Sequence, residues 1–127
     1  MKPILCLDFD GVIHSYTSGW QGAGVIPDPP VPGAIAFLHE AVLHFRVAIF
    51  SSRSHQDGGI MAMRTWLETY IWATPGFIMH NPPWFSAIEW PIEKPAAMVT
   101  LDDRAITFTG EWPSIESLLA FKPWNKP

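Results

Sequence analysis

The apolar positions of this chain fall into short runs with two different periods. Residues 4–7 (Ile-Leu-Cys-Leu) are a continuous apolar run that ends in acid at Asp8, the pattern of a strand buried in a parallel sheet. Residues 47–50 repeat the pattern and stop at Ser51, and residues 98–101 repeat it again and stop at Asp102-Asp103. Between them Ile35, Leu38, Val42 and Phe45 recur at helical spacing and predict a helix over 33–45. Ile60, Met63, Leu67 and Ile71 predict a second over 59–71. Weaker patterns suggest a strand at 76–79, a short last strand at 105–108 and a closing helix from Trp112-Pro113 to about 121, with proline in the first turn, where no amide is missed. Strands alternating with helices predict an α/β fold, a mainly parallel central sheet with helices on both faces.

Residues 12–32 break the alternation. The stretch is rich in glycine and proline, with Tyr16 and Trp20 between them, and reads as a long loop or flap hairpin. No linker tract, repeat or boundary divides the 127 residues, so a single domain over 1–127 is expected. The hydrophobic fraction of 48% against 16% charged residues predicts a packed core. No apolar run approaches the ~18 residues that span a bilayer, and nothing at the N-terminus resembles a cleavable leader. With the lone Cys6, these features point to a cytoplasmic protein without a membrane partner.

Chemistry enters at the strand ends. Asp8, Ser51 and Asp102 each follow an apolar run directly, and in open α/β sheets ligands bind at the carboxyl edge. Asp8 and Asp10 are two apart, so on an extended strand both point to one side. Close like charges are costly unless a cation or shared proton relieves them, and an all-oxygen ligand set suits magnesium. Gly11 then lets the chain turn. An isolated Asp-x-Asp-Gly reads equally well as an exposed turn, but a calcium loop is excluded because residues 11–24 contain no acid. Ser51, with Ser52 and Arg53, could hold a phosphoryl oxygen at a strand-to-helix turn, or simply cap the turn. Lys94, flanked by Pro95 and near Pro91, is either a surface lysine or a cation for developing charge.

The ordered set Asp8-Phe9-Asp10-Gly11, Ser51, Lys94 and Asp102-Asp103 resembles the four motifs of the haloacid dehalogenase superfamily. The resemblance runs from residue 4 to about 103 and implies a Rossmann-like fold and a magnesium-dependent hydrolase forming an aspartyl-phosphate. It implies Asp8 as nucleophile and Asp10 as general acid and base. Phosphoryl oxygens would be bound by Ser51 and Lys94, with Ser52, Arg53 and Gly11 lending contacts. Mg2+ would be held by Asp8, the backbone carbonyl of Asp10, and Asp102 or Asp103. Halide-displacing members lack an acid at the position of Asp10, so its presence implies phosphate monoester hydrolysis. The Lys94-to-Asp102 interval is shorter than in most members.

No interval has room for a cap domain, so a capless member with an open cleft is expected. Such a cleft suits a bulky phosphorylated substrate, a nucleotide or nucleic-acid end among them, or a second subunit could close it. The net charge of −4 and scattered basic residues argue against a general polyanion surface. Trp20, Trp84, Phe85 and Trp90 are either stacking groups or loop packing, with packing favoured. His14 and Tyr16 are candidates for leaving-group contacts, and His39 and His44 read as surface residues. The alternatives to a phosphatase are a phosphotransferase and a non-catalytic phosphate-binding module on the same fold.

Overall fold

The computed structural model describes residues 1–77 and 83–126. Three strands form an all-parallel sheet: β1 (Ile4–Leu7), β2 (Arg46–Ile49) and β3 (Val99–Leu101), in the order β2-β1-β3. β1 is central. It pairs Ile4 with Arg46 through Leu7 with Ile49 on one side, and Leu5 with Val99 through Leu7 with Leu101 on the other. Helix α1 (Ala34–His44) links β1 to β2, and α2 (Gly59–Ala73) follows β2 after a 3₁₀ turn over Ser52–His55. The two long helices and the three strands all lie within about two residues of where the periodicity puts them.

Paired residues in a sheet share a face, so Leu5, Leu7, Val47 and Ile49 point the same way. They cluster with Ile35, Leu38 and Ala41 of α1 and with Met63, Leu67 and Ile71 of α2, all buried. Both long helices therefore pack on one face of the sheet. This corrects the expectation of helices on both faces. The reason is the third position beside β2, which Glu89 occupies as a single-residue parallel bridge to Ala48. Its amide donates to the Val47 carbonyl and its carbonyl accepts from Ile49, at 2.8 and 2.9 Å. Both helical crossovers thus step outward in the same direction, and right-handed crossovers of the same direction fall on the same face. The return to β3 is made by the proline-rich 91–97 stretch, without a helix.

Other expectations fail at the periphery. Of the strand expected at 76–79, positions 78 and 79 lie outside the described residues, and Gly76 and Phe77 are not in a strand. No strand forms at 105–108. The closing helix shrinks to α3 (Ile115–Leu119), capped by the Ser114 hydroxyl at the Ser117 amide, so Pro113 precedes the cap instead of opening the helix. β3 is an exposed edge, with Val99 42% and Leu101 41% accessible, where a buried strand was expected. Trp84, Phe85 and Trp90 pack against the core cluster. His39 stacks edge-on against Phe77 and Trp84. Among the described residues no helix is long and apolar enough to cross a membrane.

Gly59 shows how tightly the α2 start is pressed onto the 3₁₀ turn. A Cβ there would lie 1.9 Å from the Arg53 carbonyl oxygen. Alanine is the better helix former by about 1 kcal/mol, yet Gly59→Ala is expected to destabilise the protein, because backbone must move to admit the methyl. Urea unfolding of the two proteins, with a lower midpoint for the variant, checks this.

Candidate active site

The hydrogen-bond ladder runs one residue past β1. The Asp8 amide donates to the Leu101 carbonyl at 2.9 Å, and the Phe50 amide donates to the Leu7 carbonyl at 3.0 Å. Continuing the Leu7–Leu101 register sets Asp8 opposite Asp102. Cys6, Asp8, Thr100 and Asp102 therefore share the face turned away from the helices, and they line one cleft of about 300 Å³. Ser51, Ser52, Lys94 and Arg104 complete its wall. Sheet register brings Asp8, Asp102 and, at the end of β2, Ser51 to one opening, and Ser52 from the 3₁₀ turn and Lys94 from the 91–97 stretch join them.

Asp103 closes on the same point from the flap side. A Cβ on Gly11 would fall 2.1 Å from Asp103 Oδ2, and Gly11 has φ 84°. Glycine is required there twice, by dihedral and by space. The result is a cluster in which one carboxylate oxygen from each of Asp8, Asp102 and Asp103 lies within 4.8 Å of the others. The Asp8 carboxyl is pushed up to about 8, first by burial, then by its hydrogen bond with Asp103 and the charges of Asp102 and Asp103. The Phe9 amide, donating to Asp8 Oδ1 at 2.8 Å, opposes this and is outweighed. Arg104 gives Asp102 a backbone donor at 2.8 Å, but its guanidinium Nε stays 4.0 Å from Asp103. Asp8, whose ionisation its two acidic neighbours oppose, forms with Asp102 and Asp103 an all-oxygen donor set that fits a divalent cation.

Asp10 does not join them. The chain leaves the strand after Leu7, so the two-residue alternation that put Asp8 and Asp10 on one side no longer holds. Its carboxylate accepts from Arg53 Nε at 2.9 and 3.2 Å and from His14 Nδ1 at 2.8 Å. Burial pushes Asp10 up, but the bonds from His14 and Arg53 more than offset it and hold the carboxyl below its ordinary value. His14 Nε2 accepts the Asp28 amide at 3.1 Å, which leaves the ring proton on Nδ1, facing Asp10. His14 is fully buried, so it orients Asp10 instead of touching a leaving group.

Arg53 is also fully buried, which corrects its assignment to phosphate binding. Besides Asp10 it donates through Nη1 to the carbonyls of Gly22, Ala23 and Val25 at 2.8, 2.9 and 3.1 Å. Its guanidinium carbon sits 4.7 Å from the Trp20 ring centroid. Arg53 thus ties the flap to the strand end. Gly11 is likewise no phosphate ligand, since its amide donates to the His14 carbonyl at 2.8 Å. Ser51 fills two roles: its hydroxyl accepts the Arg53 amide at 3.0 Å as the cap of the 3₁₀ turn, and it still lines the cleft. Lys94 makes no ion pair among the described residues and lines the same cleft.

Several supporting residues had no sequence signal. Asp28 accepts from the Ser18 amide and hydroxyl at 2.8 and 2.6 Å, and its carbonyl takes the Trp66 indole N–H at 3.1 Å. Trp124 donates to the Gly11 carbonyl at 2.8 Å from 113 positions away. No family model matches the chain, and neither does any curated protein or solved structure.

Arg53→Met would take one donor each from the Asp10 carboxylate and three carbonyls, and is expected to cost about 3–5 kcal/mol in chemical denaturation. The raised Asp8 gives a pH signature. The folded state holds a proton between about pH 4 and 8 that the unfolded state has released. Stability without divalent cation is therefore highest near pH 4 and falls, by a few kcal/mol on the order of magnitude, as pH rises through 8. Thermal unfolding across that range, repeated with magnesium to show the fall reversed, checks the sign.

Proposed function

We propose that this chain is a magnesium-dependent phosphate monoester hydrolase of the haloacid dehalogenase type, without a cap, working through an aspartyl-phosphate on Asp8. The observation that carries the reading is the meeting of the Asp8, Asp102 and Asp103 carboxylates at the edge of a cleft that Ser51, Ser52 and Lys94 also line. A pure binding module needs cations around a phosphate. It does not need a carboxylate placed to attack one.

The magnesium would be held by Asp8, Asp102 and Asp103, and when bound it supplies charge neutralisation and polarises the phosphoryl group. The chain's own residues do the rest. An Asp8 oxygen attacks phosphorus, and the ester P–O bond breaks as the leaving oxygen takes a proton. Ser51 and Lys94 hold the non-bridging oxygens, and the Lys94 ammonium balances charge as it builds. Water then attacks the aspartyl-phosphate, which frees inorganic phosphate and restores Asp8. Asp10, held ionised by Arg53 and His14, fits the base that activates this water. The earlier proton to the leaving oxygen comes from the protonated fraction of Asp10, which regains it from the water that it then activates. His14 keeps its Nδ1–H on Asp10 throughout.

The open cleft suits a substrate larger than a sugar phosphate, with a nucleotide, a nucleic-acid end or another bulky phosphate ester as the classes to try, although the net charge of −4 does not favour nucleic acid. A single unpaired cysteine agrees with a reducing cytoplasm. The test is release of phosphate from p-nitrophenyl phosphate. We expect activity with magnesium, none after chelation, and a loss of at least about 10³-fold in Asp8→Asn. Binding of beryllofluoride without turnover over a broad ester panel would instead favour the non-catalytic module.

A further inference from the structure

We propose that Trp124 is a positioning residue that fixes the Gly11 turn from the far end of the chain and so sets the spacing of the acidic cluster for its cation. The proposal rests on the metal reading above. Residues 124–126 lie against the base of the flap. Trp124 Nε1 donates to the Gly11 carbonyl at 2.8 Å, and Asn125 Nδ2 donates to the Ser15 carbonyl at 3.0 Å. The Lys126 ammonium stands 5.7 Å from the Tyr16 ring centroid.

The Gly11 peptide is then held on three sides. Its amide is bound by the His14 carbonyl, its carbonyl by the Trp124 indole, and its missing side chain by the Asp103 carboxyl packed in that space. Asp103 is one of the three cluster acids, and its side chain is only 3% accessible. Where it rests is decided by the face of the Gly11 turn. A shift of that turn by part of an ångström moves Asp103 relative to Asp8, and magnesium tolerates little departure from octahedral geometry. Hydrogen bonds that orient ligands from behind are worth tenfold or more in metal affinity in comparable sites.

The tether is separable from folding. Trp124 is 65% exposed and has no part in the core cluster. Ser15 Oγ and Asn125 Oδ1 are enclosed without partners, which weakens the junction as a source of stability. Trp124 should therefore affect the cation more than the fold.

The experiment is isothermal titration of the full chain with Mg2+ and Mn2+ at fixed pH, with melting temperature read in the absence of cation. Trp124→Phe keeps the ring and loses the donor; we expect it to melt close to the unmodified protein and bind the cation roughly tenfold more weakly. Trp124→His keeps an N–H and should recover part of the affinity. Asp103→Asn should bind most weakly of all. Equal affinity in Trp124→Phe and the unmodified chain, when that chain binds the cation and Asp103→Asn does not, overturns the positioning role alone. An unmodified chain that binds neither ion overturns the metal reading, and the positioning role with it.

Discussion

A fully buried guanidinium holds the candidate site to the rest of the molecule. Arg53 stands at the turn after β2, yet its donors reach the Asp10 carboxylate after β1 and three carbonyls of the 12–32 flap. A charge taken out of water is tolerated only when its hydrogen bonds are met, and here a carboxylate, three carbonyls and the Trp20 ring do most of that. The arrangement is consequently stiff in a way that surface ion pairs are not. The Arg46–Glu89 pair, each side chain nearly half exposed, contributes far less, and Glu89 is kept beside β2 mainly by its backbone bonds.

The same pairing divides two acids that stand two residues apart. Asp10 is supplied with positive charge and stays ionised, whereas Asp8 faces two further carboxylates and is pushed up to about 8. Opposite environments for neighbouring carboxyls are the usual basis for assigning them different chemical parts. In our reading Asp8 binds the cation and attacks, while Asp10 handles protons with His14 behind it. The partition follows from where the strand stops. Had β1 run on to Asp10, both acids would have faced the cleft and competed for one cation.

The flap and the C-terminal residues show the other side of a minimal fold. With α1 and α2 both on the other face of the sheet, the cleft walls draw on irregular backbone at 51–52, 94 and 102–104, and irregular backbone needs ties. Those ties are His14 between Asp10 and Asp28, Trp66 on the Asp28 carbonyl, and Trp124 on the Gly11 carbonyl. The indole groups act mostly through their apolar bodies and single N–H donors, which suits residues that must both cover and fasten a loop.

What the sequence by itself determined were the features that repeat locally. The apolar runs at 4–7 and 47–50 and the helical stripes of α1 and α2 marked their own elements, because burying a period-2 or a 3.6-residue pattern allows few alternatives. From the positions of Asp8, Ser51 and Asp102 at run ends, their convergence on one edge was also legible. Tertiary structure decided everything that depends on two distant segments meeting. It showed β3 as an exposed edge, because a hydrophobic run does not say whether a neighbour will cover it. It put Arg53 in the interior and Asp10 on Arg53, because only the packed flap supplies the carbonyls that make a buried arginine tolerable. It chose Asp103 over Asp10 for the acidic cluster, because the space beside Gly11 exists only once the chain after β3 has been laid against the turn after β1.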